Sequence, residues 1–248
     1  MKITHYRVAC EKQKQTIRIA VVADLHADFA KPVLPVLRRE HPDYILIPGD
    51  LTEAEEIAAG GDDSLRFLSA CREIAPTVYS LGNHEVGCCH SGNPLRKAEP
   101  VPLPEAYRKE VEARNILLVD NTCREADGIL FCGLGTGIRG AENCPDKPFL
   151  TKLQELPREK VRILLCHHPE YYVPYLRKIG LDLTVCGHAH GGQWRIFGQG
   201  IYAPGQGLFP KYTAGILDGR CVISRGISGC TRIPRIFNPP EIPIITFG

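Results

Sequence analysis

The chain lacks a charge imbalance: 30 basic and 28 acidic residues leave a formal net charge of +2 over 248 residues. A balance this near zero supplies no chain-wide pull toward nucleic acid or anionic membrane. Basic runs interleaved with aromatics are also missing, which argues against a nucleic-acid groove. No apolar stretch nears the roughly 20 residues that span a bilayer. Met1–Tyr6 holds neither an apolar h-region nor a twin arginine. The expected location is the cytoplasm, with no membrane span. H-E-x-x-H is absent, which counts against a metallo-hydrolase acting on carbonyls. C-x-x-C is absent too, although there are eleven cysteines, an odd and irregularly spaced set. Cys132, Cys166, Cys186 and Cys221 sit inside apolar runs, so buried thiols in a reducing compartment are expected rather than a disulfide framework. Cys88 and Cys89 follow Glu85 closely and are the pair placed nearest the chemistry below. No internal repeat or low-complexity linker divides the chain, and its length suits one domain over residues 1–248.

What is present is an ordinary globular composition, 44% hydrophobic and 23% charged, with one recurrent feature. Five apolar runs each end in a residue able to bind a hard or borderline metal ion. Ile17–Ala23 runs into Asp24-Leu25-His26, and Tyr44–Gly49 into Asp50. Thr77–Gly82 runs into Asn83-His84-Glu85, Val161–Cys166 into His167-His168, and Leu181–Gly187 into His188-Ala189-His190. As adjacent strands, these runs would bring their tips to one sheet edge. Asp24 and His26 stand two apart and would share a side of an extended chain, as would His188 and His190. Gly49, Gly82 and Gly187 precede the ligands and allow sharp turns with close backbone approach. A carboxylate such as that of Asp50 can bridge two ions.

Helical spacing is expected over Pro32–Arg39, Ser64–Ile74, Glu105–Arg114 and near Tyr171–Lys178. Strands are expected at Ile3–Cys10, Ile116–Val119, Asn121–Arg124 and Ile129–Cys132, with Asp127-Gly128 as a hairpin turn. Asp218-Gly219 reads as a second hairpin turn between Thr213–Leu217 and Cys221–Ser224, and Ile242–Phe247 as a final strand. The alternation of strand and helix in the first half predicts parallel pairing, and the whole predicts two packed sheets covered by helices. Gly87–Pro104 and Leu134–Pro148 read as long loops, as much solvent-facing insertions as substrate contacts. Leu208-Phe209-Pro210 reads equally as an exposed apolar contact loop and as core.

The ordered set of five tips resembles the calcineurin-like metallophosphoesterase superfamily. Within it, Gly187-His188-Ala189-His190-Gly191-Gly192-Gln193, Ile223-Ser224-Arg225-Gly226 and Pro239-Pro240-Glu241-Ile242 are similar to the bacterial phosphodiesterase branch that includes YkuE and YaeI. The likeness covers nearly the whole chain from Ile17. It implies a four-layer α/β/β/α sandwich with a dinuclear centre at the strand ends. One metal would take Asp24, His26, Asp50 and His190. The other would take Asp50, Asn83, His167 and His188, so that Asp50 bridges. His84 would be the catalytic histidine, assisted by Asn83. Members of that superfamily generally carry this ligand two positions before a proline, so the resemblance, with Pro169, implies His167 rather than His168 as the ligand. His168 is then substrate-side, a support for the ligands, or a surface residue.

The nitrogen and oxygen donor set points to two divalent ions, Mn, Fe or Zn. The expected reaction is in-line attack on phosphorus by a metal-bridging hydroxide, on a small-molecule phosphodiester. Monoesters and nucleotide-diphosphate (pyrophosphate) bonds need the same machinery and stay open, and a non-catalytic scaffold would be expected to have lost ligands. Arg139, Arg225, Arg232 and Arg235 are candidates for holding a substrate phosphate, each also readable as a surface or structural arginine.

Overall fold

The computed structural model describes residues 1–88, 100–136, 145–203, 206–229 and 234–248. Arg139, Arg232 and Cys89 lie outside the described residues, as do parts of both long loops.

The strands are β1 (Lys2–Val8), β2 (Ile17–Val21), β3 (Tyr44–Ile47), β4 (Thr77–Tyr79), β5 (Leu117–Leu118), β6 (Thr122–Ala126), β7 (Ile129–Leu134), β8 (Val161–Cys166) and β9 (Leu183–Cys186). They continue with β10 (Arg195–Ile196), β11 (Gln199–Gly200), β12 (Tyr202–Ala203), β13 (Gly207–Leu208), β14 (Gly215–Leu217), β15 (Cys221–Ile223) and β16 (Glu241–Phe247). The helices are α1 (Val33–Glu40), α2 (Ala54–Ala58), α3 (Asp62–Ile74), α4 (Glu105–Ala113) and α5 (Lys147–Glu155).

Two six-stranded sheets form, in the orders β1-β16-β2-β3-β4-β5 and β14-β15-β9-β8-β7-β6. In the first, β2, β3 and β4 run parallel. In the second, β7, β8, β9 and β15 do. The final strand does not close an edge: β16 inserts between β1, which it pairs in parallel, and β2, which it pairs antiparallel. The two hairpin turns are as expected, with Asp127 and Gly128, and Asp218 and Gly219, all at positive φ.

Strand alternation sorts the apolar side chains into three layers. Ile19 and Val21 of β2 meet Ile163 and Leu165 of β8 between the sheets, with Val78, Phe131 and Val185. Ala20 and Val22 face the other way, onto Val36 and Leu37 of α1 and Leu65 and Leu68 of α3. Leu164 and Cys166 face Phe149 and Leu153 of α5 and the turns holding Tyr171, Tyr172 and Leu176. The fold is a four-layer α/β/β/α sandwich. Over Pro169–Ile179 the expected helix is a succession of 3₁₀ and π turns. The sequence reading lacked α5, whose signal is local: Asp146 accepts the Phe149 N–H at 2.7 Å and Pro148 sits in the first turn.

Cys10, Cys71, Cys88, Cys166, Cys186 and Cys221 are buried thiols, as expected. Cys123 and Cys132 correct that expectation. They stand opposite each other in the antiparallel β6–β7 pair and form a disulfide. This cross-strand register is invisible until the hairpin is folded.

Candidate metal centre

The loops leaving β2, β3, β4, β8 and β9 meet at one edge. The Ile227 N–H bonds the Ala23 carbonyl at 3.1 Å and the Ser228 N–H bonds that of Asp24 at 2.8 Å, so the chain leaving β15 is laced to the chain leaving β2. The His188 N–H donates to Asp24 Oδ1 at 2.8 Å and ties the two sheets together there.

Extended-chain alternation is not what makes the side chains converge. Asp24, His26, Asp50, His188 and His190 all have φ between 44° and 67°, so each turns the backbone left-handedly. This corrects the period-two reading of Asp24/His26 and His188/His190. Asp and His are among the non-glycine residues that tolerate this region. Strain of this kind costs roughly 1–3 kcal/mol per residue and persists only where neighbours enforce it. Close packing is one such enforcement. A Cβ on Gly82 would lie 2.2 Å from Asp50 Oδ1, and one on Gly49 2.5 Å from the Gly82 nitrogen.

Six of the seven expected ligands fall into two groups. Asp24, His26 and His190 bring one donor atom each to within 4.8 Å of one another, and so do Asp50, His167 and His188. His26 Nε2 and His190 Nε2 are 3.3 Å apart, and His190 Nε2 is 3.7 Å from Asp24 Oδ1. Asp50 Oδ2 lies between the groups, 2.9 Å from His167 Nε2, 3.8 Å from His26 Nε2 and 3.9 Å from His84 Nε2. Asn83 is buried one residue before His84, whose own N–H donates to Asp50 Oδ1 at 2.9 Å.

Four of the imidazoles are aimed from behind. His167 Nδ1 donates to the Pro48 carbonyl at 3.1 Å and His190 Nδ1 to that of Ser228 at 2.9 Å, which turns both Nε2 atoms inward. Glu53 Oε1 takes His26 Nδ1 at 2.9 Å while its Oε2 takes His84 Nδ1 at 2.6 Å. Glu85 is buried and accepts the backbone N–H groups of Asp50 at 3.0 Å, Leu51 at 2.6 Å and Gly82 at 2.8 Å, together with the Tyr79 hydroxyl at 2.9 Å. It fixes the β3 and β4 exits with a single carboxylate.

Sequence reasoning gave Glu53 and Glu85 no role. Glu85 had a signal, since it closes the Gly82-Asn83-His84-Glu85 run. Glu53 lies three residues after Asp50 and had none. His168 is wholly buried, which removes the surface reading. Its Nε2 meets Thr136 Oγ1 at 3.1 Å and its Nδ1 meets Glu170 at 3.2 Å, beside the His188 ring. Arg235 donates to the carbonyls of Gly226 and Arg225, a structural use, and Arg225 faces Glu241.

The electrostatics fit a cation. Burial alone would raise Asp50, yet the His167 and His84 imidazoles hold it well below the usual carboxylate range. Burial alone would lower His167, and Asp50 beside it pushes it up to about 9. Burial takes His190 down to about 4 against the pull of Asp24. Glu53, despite burial, is held at about 2 by His26 and His84. Burial and the neighbouring Asp50 charge raise Glu85. Among the described residues no Lys or Arg pairs with Asp24 or Asp50. Asp24 Oδ2 and Asn83 Oδ1 are buried without a hydrogen-bond partner there. Buried carboxylates need a compensating charge, and oxygen and imidazole donors aimed at two adjacent points can hold two divalent ions.

A sequence model described as calcineurin-like phosphoesterase matches residues 17–192, a span that includes all seven expected ligands. The chain is 27% identical to the uncharacterized protein YpbG of Bacillus subtilis, over 95% of this chain and 82% of that protein. It is 27% identical to the phosphodiesterase YaeI of Escherichia coli, over 79% of this chain and 68% of that protein. It is 25% identical to an uncharacterized metallophosphoesterase of Helicobacter pylori, over 77% of this chain and 49% of that protein, and so matches about half of that relative's length.

Proposed function

The chain belongs to the calcineurin-like phosphoesterase family, hydrolases of phosphoester bonds, and from that premise we propose that it is a dinuclear phosphodiesterase. Asp24, His26, Asp50 and His190 would hold one cation, and Asp50, Asn83, His167 and His188 the other. The observation that carries this reading is Asp50 Oδ2, which reaches the imidazoles of both groups from a buried position with no Lys or Arg beside it among the described residues. Two bound divalent ions, Mn, Fe or Zn, supply Lewis-acid polarisation of the phosphoryl group and an activated water.

The chain's own residues do the rest. Glu53 fixes His84 Nδ1, so Nε2 is the nitrogen presented toward the substrate and delivers a proton to the departing oxygen. Asn83 Oδ1, buried without a partner, would serve the ion, leaving the amide NH2 to donate to a phosphoryl oxygen. His168 and Glu170 brace His188 from behind. We further propose that residues 1–248 form one domain, which the shared apolar layer between the sheets supports. A cytoplasmic location is supported by the buried thiols, with the Cys123–Cys132 disulfide as the feature that pulls the other way. Among the described residues no helix is long and apolar enough to cross a membrane.

The test is a rate comparison. Protein loaded with Mn²⁺ is assayed on a chromogenic diester, its monoester and a nucleotide diphosphate. The diester should be cleaved fastest. A faster monoester or diphosphate would move the specificity, and no cleavage of any of the three would end the reading.

A further inference from the structure

Directly after the His190 turn the chain changes character. Residues 190–240 contain six basic residues and one acidic residue, Asp218, although the whole chain is nearly neutral. The same stretch keeps large apolar side chains in water. Phe197 is fully exposed, Phe237 is 82% exposed, Leu208 71% and Phe209 66%, with Ile196, Trp194 and Tyr202 partly exposed around them.

These side chains form one surface. Phe197 sits in the two-residue turn of the β10–β11 hairpin, and Leu208 and Phe209 end the β12–β13 hairpin. The Phe209 N–H bonds the Ile201 carbonyl at 2.8 Å, the Ile201 N–H bonds that of Trp194 at 2.9 Å, and the Arg195 N–H bonds that of Ile236 at 3.0 Å. A groove of about 470 Å³ lies among Arg195, Ile196, Phe197, Gly198, Arg225 and Phe237. Arg225 lies 3.7 Å from the buried Glu241, and the Arg195 guanidinium donates to the Gly191 carbonyl at 2.7 Å and to Thr213 Oγ1 at 3.0 Å. Burial, and after it the Arg225 charge, lower Arg195.

We propose that this surface seats the protein on an anionic lipid bilayer, with Phe197, Leu208, Phe209 and Phe237 entering the acyl boundary and the Arg195–Arg225 groove meeting head-group phosphates. Apolar tips beside the Arg195–Arg225 groove match the two components of interfacial binding, buried apolar area and attraction to anionic lipid. Trp194 and Tyr202 suit the head-group level. A second copy of the chain is a poor occupant, because an isologous contact would bring the same excess of positive charge onto itself. The surface is tied to the metal edge by Asn238, which donates to the His190 carbonyl at 2.7 Å and to that of Gln193 at 3.1 Å.

The experiment is vesicle co-sedimentation of the full chain, with no turnover in the readout, so its failure is separate from failure of the phosphodiesterase reading. Vesicles of phosphatidylcholine with phosphatidylglycerol should bind the protein, and added salt should weaken binding. Phosphatidylcholine alone should bind weakly. Phe197→Ser with Phe237→Ser, and separately Leu208→Ser with Phe209→Ser, should each lower binding by about tenfold or more while the thermal midpoint holds. The proposal is overturned if anionic vesicles do not bind, if neutral vesicles bind as well, or if both variants bind like wild type. It is equally overturned if sedimentation velocity shows a lipid-free dimer that the substitutions dissolve.

Discussion

The metal edge and the hairpin surface stand side by side and solve opposite problems. At the edge, polar groups are buried, five expected ligands are held at positive φ, and four imidazoles each have a second group behind them. On the hairpins, apolar groups are exposed and the ladders are two residues long. The edge is over-determined, as strained geometry must be to survive. The hairpin surface has little packing behind its tips, so its residues can be changed with small effect on the fold. The chemistry is thus fixed by the sandwich, and the contact surface is appended to it through Asn238.

The contrast can be broken most severely at Asp50. Asp50→Asn should lose both ions together, read as metal content after desalting, and turnover should vanish with them. One ion retained at full occupancy would show that Asp50 serves a single site. Next is His84→Ala, which should keep both metals and lose roughly 10²–10⁴ in kcat. An unchanged kcat would remove it as the proton donor. Glu85→Gln comes third. Its amide cannot accept all the backbone N–H groups that the carboxylate holds, so stability in urea should fall by about 2–3 kcal/mol, with weaker metal retention. Tyr79→Phe, which removes one of those partners, should cost about 1 kcal/mol. Equal losses in the two variants would contradict the shared clamp. The smallest effect sharpens the other side: Phe197→Ser should change the unfolding free energy by less than about 0.5 kcal/mol and leave hydrolysis of a soluble diester unaltered. A large loss there would mean that the hairpin is part of the core after all.

Much of the edge was legible because its residues sit at the ends of buried parallel strands, where apolar runs stop abruptly. The four layers follow from the alternation of the same runs. Legibility failed where the determinant is three-dimensional. Left-handed φ at Asp24 and His190 cannot be seen in a spacing of two, and the Cys123–Cys132 bond needs the β6–β7 register. Glu53 looks like one more acid on a short helix until two imidazoles close on it. The place of β16 between β1 and β2 is likewise a matter of topology, since a terminal apolar run says strand but not which neighbours. The ambiguity of Leu208-Phe209-Pro210 resolved to solvent for Leu208 and Phe209, where the two-residue ladder beneath leaves no layer to cover them, while Pro210 is buried.

Glu53 has one further implication. A single rigid carboxylate grips an ion-side imidazole with one oxygen and the proton-side imidazole with the other. The two rings are geared: a cation of different radius that tilts His26 must also swing His84. Choice of metal and tolerance for poor leaving groups would then drift together, and a substitution that retunes one would drag the other along.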